Sequence, residues 1–493
     1  MLLLEAGGER PIPGEPDILA AEIAQPAWHD PANIISAAAL GGTSHWWGGR
    51  AVPFDVADFA TWPISYDEAK PWLERAGAFL GARGICGSAP PPLFAQLQDF
   101  DAEREETWCP QINMAKRWRA PLGSSANLAV LLNARATAID CEAGAVRTLH
   151  VHVAGARRTA RAAHYVLACG GLGVLRLLLL AQRAGASHFG GDLLGSGYMG
   201  HLTGVIADLA PANPADADAF AYRPLGDNVF ARRRITARAA LLAREHLPNI
   251  AFWIDSAAND DPAHGSAVAS AKYVAARAAR ALLSRNAKSA DAPLKLHFDN
   301  IARAPVSAAL GLGHALYLNA ATQLTGRLPR PRRFIPASTG AWSMRYHAEQ
   351  PPHARNRVTL AQSQDSLGLP RLAIAFDFSA DDCEAVVRAH DRLAQDLTRS
   401  GAGALHWRTE RATAVEMVSQ FARDGYHQLG GAIMGADPKT SVVDAHCRVH
   451  ELGNLWLASS ATFPTGGQAN PTLMITALSL RLAHHLAALR RAA

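Results

Sequence analysis

Tyr426-His427-Gln428-Leu429-Gly430-Gly431-Ala432-Ile433-Met434-Gly435 runs almost directly into Asp437-Pro438-Lys439-Thr440-Ser441-Val442-Val443-Asp444. A buried strand ending in hydroxyls follows, Leu455-Trp456-Leu457-Ala458-Ser459-Ser460. The loop Phe463-Pro464-Thr465-Gly466-Gly467-Gln468-Ala469-Asn470-Pro471-Thr472 then leads into a final helix. Taken singly, each piece has a plain structural reading. Asn470 before Pro471 is a good helix N-cap and first-turn pair, and His427 alone reads equally as a core histidine or a hydrogen bonder at a strand end.

Outward from this block, the chain start has a matching character. Met1-Leu2-Leu3-Leu4-Glu5-Ala6-Gly7-Gly8 reads as a buried parallel strand ending in an acid and a turn. Such an acid closes the second strand of a dinucleotide-binding unit, where it hydrogen-bonds a ribose hydroxyl; the alternative is an ordinary edge strand. The partner motif G-x-G-x-x-G belongs ~20 residues upstream of the acid, before the first residue here. We therefore expect a start codon placed late or a truncated reading frame, which would also hide any signal peptide. Gly195-Ser196-Gly197-Tyr198-Met199-Gly200 matches the pattern. It lacks a strand before it and a helix after it, so it is rejected as the phosphate loop.

Leu40-Gly41-Gly42-Thr43-Ser44-His45-Trp46-Trp47-Gly48-Gly49-Arg50 lets backbone approach a flat ligand, or is a glycine-rich loop with core tryptophans. Ser65 and Glu68 have capping-box spacing ahead of a helix to about Leu80. Leu128 to Leu132 and Leu149 to Val153 read as strands. Tyr165 to Gly171 reads as a strand running into a glycine turn, with a helix from Leu175. Between 206 and 424 the texture changes to Pro/Ala/Asp loops, a basic helix near 269–285 and alternating strands. Trp342-Met344-Tyr346-Ala348 and Leu372-Ile374-Phe376-Phe378 each turn one face inward, an antiparallel signal suited to a domain covering a ligand. Ser379 to Asp382 opens a helix reaching about Leu397.

Composition excludes several classes. The chain has 493 residues, 49% hydrophobic and 18% charged, which rules out a disordered, collagen-like or coiled-coil protein. No uninterrupted apolar run reaches the ~18 residues of a membrane span; the nearest, Val306 to Leu318, is broken by Gly311, Gly313 and His314. The net charge of +5 is carried by arginine. Its clusters, Arg232-Arg233-Arg234 and Arg330-Pro331-Arg332-Arg333, lack the aromatic interleaving of a nucleic-acid groove and read as solvated loops. The helix near 269–285, with Lys272, Arg277 and Arg280, reads as a solvated insertion rather than a membrane-surface helix. Cysteines 86, 109, 141, 169, 383 and 447 form neither zinc spacings nor a disulfide framework, so no metal is expected and a cytoplasmic location is the default.

Together the blocks resemble the glucose–methanol–choline (GMC) family of FAD-dependent oxidoreductases. The family pattern H-x-x-G-T-x-R-M-G, then D-P-K-T-S-V-V-D, then N-L-Y-V-A-G-S-S-x-F-P-T-G-G-x-A-N-P-T-L is matched nearly in register from His427 to Leu473. The flavin loop G-G-[ST]-x-x-x-W-G-G-R is similar to Gly41 through Arg50. The resemblance implies an α/β fold in which a Rossmann-like FAD-binding domain (1–205 and 425–493) interleaves with an α+β substrate domain (206–424) on an antiparallel sheet. It implies that Glu5 binds the adenosine ribose and that Gly41, Gly42, Thr43, Gly48 and Gly49 lie along flavin and pyrophosphate. Ala136 would contact the adenine side, with Ser460, Pro471 and Thr472 near the flavin end. His427 stands at the family's catalytic histidine and Asn470 at its partner.

That chemistry suits those residue types. Oxidising an alcohol on flavin moves a hydride to the flavin while the hydroxyl loses a proton, which a neutral imidazole accepts. An asparagine donates to the same oxygen without competing as a base. Departures are Gly431 and Ile433 for the family's Thr and Arg, Ser459 for a Gly, and His45 one position off the histidine that tethers FAD in some members, so FAD is expected to be non-covalent. The expected activity is an alcohol, polyol or sugar dehydrogenase or oxidase resembling the family's bacterial sugar branch, passing electrons to oxygen, a quinone or a partner subunit. The alternatives are a sterol or hydrophobic-alcohol oxidase and a truncated, non-catalytic member that holds no FAD.

Overall fold

In this computed structural model, residues 1–11, 20–87, 90–255, 262–283, 294–329 and 341–492 are described. In chain order the strands that build the site are β1 (Leu2–Leu4), β2 (Phe100–Trp108), β3 (Ala129–Leu131), β4 (Tyr165–Leu167), β5 (His201–Pro211), β6 (Val229–Ala237), β7 (Ile250–Asp255), β8 (Trp342–Glu349), β9 (Gly403–Trp407) and β10 (Leu455–Leu457). The helices are α1 (Tyr66–Leu80), α2 (Gly170–Arg183), α3 (Ala267–Leu283), α4 (Leu294–Arg303), α5 (Pro305–Thr325), α6 (Ala380–Ser400) and α7 (Thr472–Ala492).

Short parallel ladders form the nucleotide side. β1 pairs with β3, and β4 pairs with β10. Parallel pairing needs crossovers, and α2 supplies one directly after β4. It starts at Gly170 rather than Leu175, because the glycine turn after Leu167 is itself the first helical turn. The segment after β1 is zipped to the approach of the glycine loop, with Leu40 N–H donating to the Gly8 carbonyl at 2.9 Å.

The large sheet is antiparallel, in the order β9-β5-β8-β7-β6-β2 followed by Arg50–Ala51, with Arg223–Gly226 paired to β6. It reaches outside residues 206–424 by taking β2 and the strand at 50–51. Alternation gives it two faces. Phe252, Ile254, Met344, Tyr346 and Ala348 are buried, and Phe252 and Tyr346 pack edge-on against His390 of α6. Ser379 caps α6 by accepting from Asp382 N–H at 2.9 Å, and Gly401 ends it. The opposite face carries Glu106, Arg232, Arg234, Trp253, Arg345 and His347, in register Arg232–Glu106, Trp253–Arg345 and Ala251–His347.

Two sequence expectations are corrected here. Arg232-Arg233-Arg234 is not a solvated loop: it lies inside β6, with Arg232 and Arg234 at 1% and 0% exposure. The reason is local, since Glu106 on the adjacent strand receives both guanidiniums, at 2.5 and 3.3 Å. The strand read over 372–378 is antiparallel as expected but ends before Phe376 and Phe378. It spans Pro370–Ala375 and forms a three-stranded sheet with Arg357–Gln364 and Ala21–Ile23; periodicity shows a strand's faces but not its neighbours. Arg330 to Arg333 lies outside the described residues. Among the described helices α7 is long and apolar enough to cross a membrane (mean hydropathy 1.3). Leu473, Met474, Ala477, Leu478 and Leu482 in its first half are packed in the core.

Candidate active site

The loop before α7 and the segment after residue 423 meet over the polar face of the large sheet. Asp424 fixes the second of these. Its Oδ1 accepts the N–H groups of Gly425, Tyr426 and His427 at 2.7, 3.0 and 3.2 Å. Its Oδ2 accepts the His201 N–H at 2.7 Å and lies 3.4 Å from His427 Nδ1. Burial alone would raise this carboxyl, but the adjacent His427 outweighs it and holds Asp424 well below the ordinary carboxylate range.

The loop at 465–470 is pinned at nearly every residue. Thr465 Oγ1 accepts from Trp62 Nε1 at 2.7 Å and donates to the Asp58 carbonyl at 3.0 Å. Gly466 and Gly467 donate their N–H groups to Glu349 Oε1 at 3.1 and 3.0 Å. The Gly467 carbonyl accepts from His201 Nε2 at 3.0 Å, and the Gln468 carbonyl from His347 Nδ1 at 2.9 Å. Arg234 Nη1 donates to Gln468 Oε1 at 2.6 Å. Gly467 has φ of +58°, and a Cβ there would come within 2.7 Å of the Asp58 carboxylate, so only glycine fits this turn.

These anchors determine proton positions. A carbonyl only accepts, so His201 carries its hydrogen on Nε2 and its Nδ1 is an acceptor. His427 Nδ1 lies 2.9 Å from that Nδ1 and must therefore donate to it. The neutral His427 ring then has an unprotonated Nε2, 3.3 Å from Asn470 Nδ2. Asn470 Oδ1 is buried with no hydrogen-bond partner among the described residues, so the side chain turns to the histidine instead of capping α7. An imidazole nitrogen with a free lone pair and an amide donor thus sit side by side.

His201 and His347 are buried and stacked, with ring centroids 4.2 Å apart and planes 23° apart. Burial, together with the neighbouring His427, lowers His201 to about 3. His347 is likewise pushed well down, by burial first and then by His201, His427 and Arg234. Both stay neutral at ordinary pH. One nitrogen of each of His201, His347 and His427 lies within 4.8 Å of the others. Within the protein, His201 Nε2 is bonded to the Gly467 carbonyl and His347 Nδ1 to the Gln468 carbonyl.

Neither His201, His347 nor Asp424 is singled out by the sequence, and Arg234 figures there only in a cluster read as a solvated loop. His201 directly follows the rejected G-x-G-x-x-G, and His347 occupies the polar alternate of the strand whose apolar positions face α6. A search for polar residues on the second face of a buried strand would have found His347 and Arg234.

The residues expected to hold FAD fall into two groups. Glu5 ends β1 beside β3, accepts Gly7 N–H at 2.8 Å and is raised by burial. In the glycine loop a Cβ at Gly42 or Gly48 would meet nothing within 4 Å, leaving that side open to a ligand. Gly41 and Gly49 instead lie against protein, at Ala115 and at Leu328 with Ile112. Thr43 sits in the one-turn helix Gly42–His45. Ala136 is on the strand Ala134–Glu142, which leaves Glu5 through the Ala134 N–H to Glu5 carbonyl bond of 2.8 Å. Ser460 is buried, and its hydroxyl donates to the Gln428 carbonyl at 2.5 Å, holding the residue after the base. Pro471 and Thr472 open α7. Gln428 ties the halves together, accepting from Leu172 N–H at the start of α2 and donating to Ser36. An acid at a parallel strand end, an open glycine loop and a helix start beside the histidine segment fit an extended dinucleotide.

Comparison with known proteins agrees with this geometry. Residues 352–479 match the family described as GMC oxidoreductase, over its C-terminal domain. The fructose dehydrogenase large subunit of Gluconobacter japonicus is 35% identical over 133 residues, 27% of this chain and 22% of that one. The 6'''-hydroxyparomomycin C oxidase of Streptomyces lividus is 33% identical over 145 residues, 29% and 25% of the two chains. The matched stretch thus spans about a quarter of these curated relatives. Among solved structures, pyridoxine 4-oxidase from Mesorbium loti superimposes with a TM-score of 0.57 at 17% identity, over 98% of this chain and 93% of that one. Formate oxidase of Aspergillus oryzae RIB40 gives 0.53 at 13%, over 99% and 94%. The overall fold is therefore that of these oxidases.

Proposed function

We propose that the chain oxidises the CH–OH group of a sugar, polyol or related polar alcohol, with FAD as hydride acceptor. The observation carrying this reading is the His427–Asn470 pair: an unprotonated Nε2 beside an amide donor, with Asn470 following a turn whose backbone is anchored at Gly466, Gly467 and Gln468. FAD, when bound, supplies the electron sink. Glu5, Thr43, Gly42 and Gly48, with Ala136 and the start of α7, would hold it. Both ring nitrogens of His45 are engaged within the protein, with the Leu40 carbonyl and Asn113 at 3.0 and 3.1 Å, which supports non-covalent binding.

The residues divide the work. His427 Nε2 takes the hydroxyl proton, while Asn470 Nδ2 donates to the same oxygen and holds its carbon in line. As His427 becomes cationic, its Nδ1–H stays hydrogen-bonded and the ionised Asp424 beside it stabilises the charge, the logic of a buried acid behind a catalytic histidine. Similarity to a fructose dehydrogenase and to a hydroxyparomomycin oxidase favours a hydroxylated substrate over a sterol. The chain's match to a fructose dehydrogenase large subunit supports a partner subunit that removes electrons.

The test is anaerobic mixing of FAD-loaded protein with a panel of sugars, polyols and apolar alcohols, followed by loss of flavin absorbance. A polar alcohol should bleach the wild type, and His427→Ala should slow bleaching by about 10²–10⁴-fold. Flavin binding without bleaching by any alcohol, or an unchanged rate in the variant, refutes the proposal.

A further inference from the structure

Helix α5 spans 21 residues without one charged side chain. It packs on one side only. Ala308 is buried, and Gly311 lies so close to α3 that a Cβ would come within 2.5 Å of Val268. The other side is bare: Val306, Leu310, Tyr317 and Leu324 are 70, 70, 67 and 73% exposed, and Gly313 and Ala320 are exposed with them. These six positions step by 4, 3, 4, 3 and 4 residues, the spacing of a coiled-coil seam. Large contiguous apolar patches of this kind mark interaction surfaces.

The seam is also symmetric. Its six positions are mirrored about Ala315, so an antiparallel copy related by a twofold axis through that point meets it in register. Val306 then faces Leu324 of the second copy, Leu310 faces Ala320, and Tyr317 faces Gly313. Each contact pairs a larger residue with a smaller one or two of middling size, and a Cβ on Gly313 would meet nothing within 4 Å, leaving room for the tyrosine ring. Small residues at such positions let helix backbones approach. With no charge on the helix, self-pairing meets no like-charge repulsion and buries no ion. A basic, lipid-facing helix would instead carry Lys or Arg along its polar face.

We infer that the chain forms a twofold homodimer through antiparallel pairing of α5 with α5 of a second copy. The helix is about 30 Å long, and the pairing runs along its whole length.

The experiment is sedimentation velocity with light scattering across the micromolar range, on FAD-loaded protein and two double variants. The wild type should have twice the 52.4 kDa chain mass. Val306→Glu with Leu324→Glu sets two like pairs face to face and should give monomer. Val306→Glu with Leu324→Lys sets opposite charges face to face in the antiparallel register only, and should restore the dimer. Both variants alter exposed positions, and unchanged circular dichroism and urea midpoints will show that they fold. A monomeric wild type, a persistent dimer in the Glu/Glu variant, or monomer in the Glu/Lys variant overturns the inference. So does a monomer that floats with phosphatidylcholine vesicles, which would give the face to lipid.

Discussion

Glu106 is the sharpest point at which the polar sheet face can be challenged. It is fully buried between Arg232 and Arg234, with Arg50 at 3.7 Å, and those two guanidiniums are buried as well. Burial would raise the carboxyl, but Arg232, Arg50 and Arg234 overcome it and bring Glu106 to about 2 from an ordinary 4.5. At ~1.4 kcal/mol per pH unit, the carboxylate contributes about 3 kcal/mol of stability at neutral pH. Because the folded value is the lower one, this contribution is complete above pH ~4.5 and is lost as the pH falls towards ~2. A second route gives a similar figure: removing one partner of a buried ion pair costs ~3–5 kcal/mol, since the other charges stay buried. Glu106→Gln should therefore lose at least ~3 kcal/mol in urea unfolding at pH 7, and by nearly the same amount at pH 5.5. A loss below ~1 kcal/mol would refute the reasoning, because the arginines would then have another counter-charge.

Three further outcomes are expected. His201→Gln should slow flavin reduction by about tenfold, one hydrogen bond's worth, with KM unchanged. Its amide reaches the Nε2 position but removes the Nδ1 acceptor. His201→Asn keeps an acceptor there and should recover most of the rate; equal rates in both variants would remove His201 from tautomer control. His390 is lowered to about 4 by burial. Between pH 7.5 and 5.5 the unfolded imidazole takes a proton that the folded one refuses, so stability falls with pH. His390→Leu should therefore flatten urea-measured stability by ~1 kcal/mol across that range, and an unchanged slope would contradict a neutral buried ring. Gly467→Ala should cost ~1–3 kcal/mol from the positive φ and the Asp58 approach, and should slow reduction while flavin content is retained.

The sequence exposed those parts of the site that are contiguous or strictly periodic. Glu5 follows an uninterrupted apolar strand, the glycine loop has its own density of small residues, and His427 and Asn470 stand in blocks whose order resembles the GMC pattern. The boundaries of α1 and α6 followed from Ser65 and Ser379 because an N-cap is a local event. Arg232 to Arg234 was misread because three arginines in a row argue for water unless the carboxylate across the strand is known, and Glu106 lies 126 residues earlier. His201 and His347 come from separate strands and approach His427 only through sheet register, which a single sequence does not state.

The histidine geometry shows how remote positions set the chemistry of one atom. The Gly467 carbonyl fixes the proton of His201, His201 fixes that of His427, and the proton-free Nε2 is the result. That carbonyl can point inward because residue 467 is a glycine at positive φ against Asp58. Asp58 is itself held well above the usual carboxylate range, by burial first and then by Asp55 and Glu349. A protonated Asp58 tolerates the close approach of the turn, whereas an ionised one would press against Glu349, which shares the same loop. Stability owed to that proton is lost as the pH rises through the folded value. His427 is thus tied through one loop to a buried acid pair, so raising the pH through the folded value of Asp58 should loosen the Gly466–Gln468 turn. Hydrogen exchange at the Gly466 and Gly467 amides, corrected for the intrinsic pH dependence of exchange, measures this. Their protection should fall with rising pH before that of β8, and protection that fell equally in both would break the link between turn and acid pair.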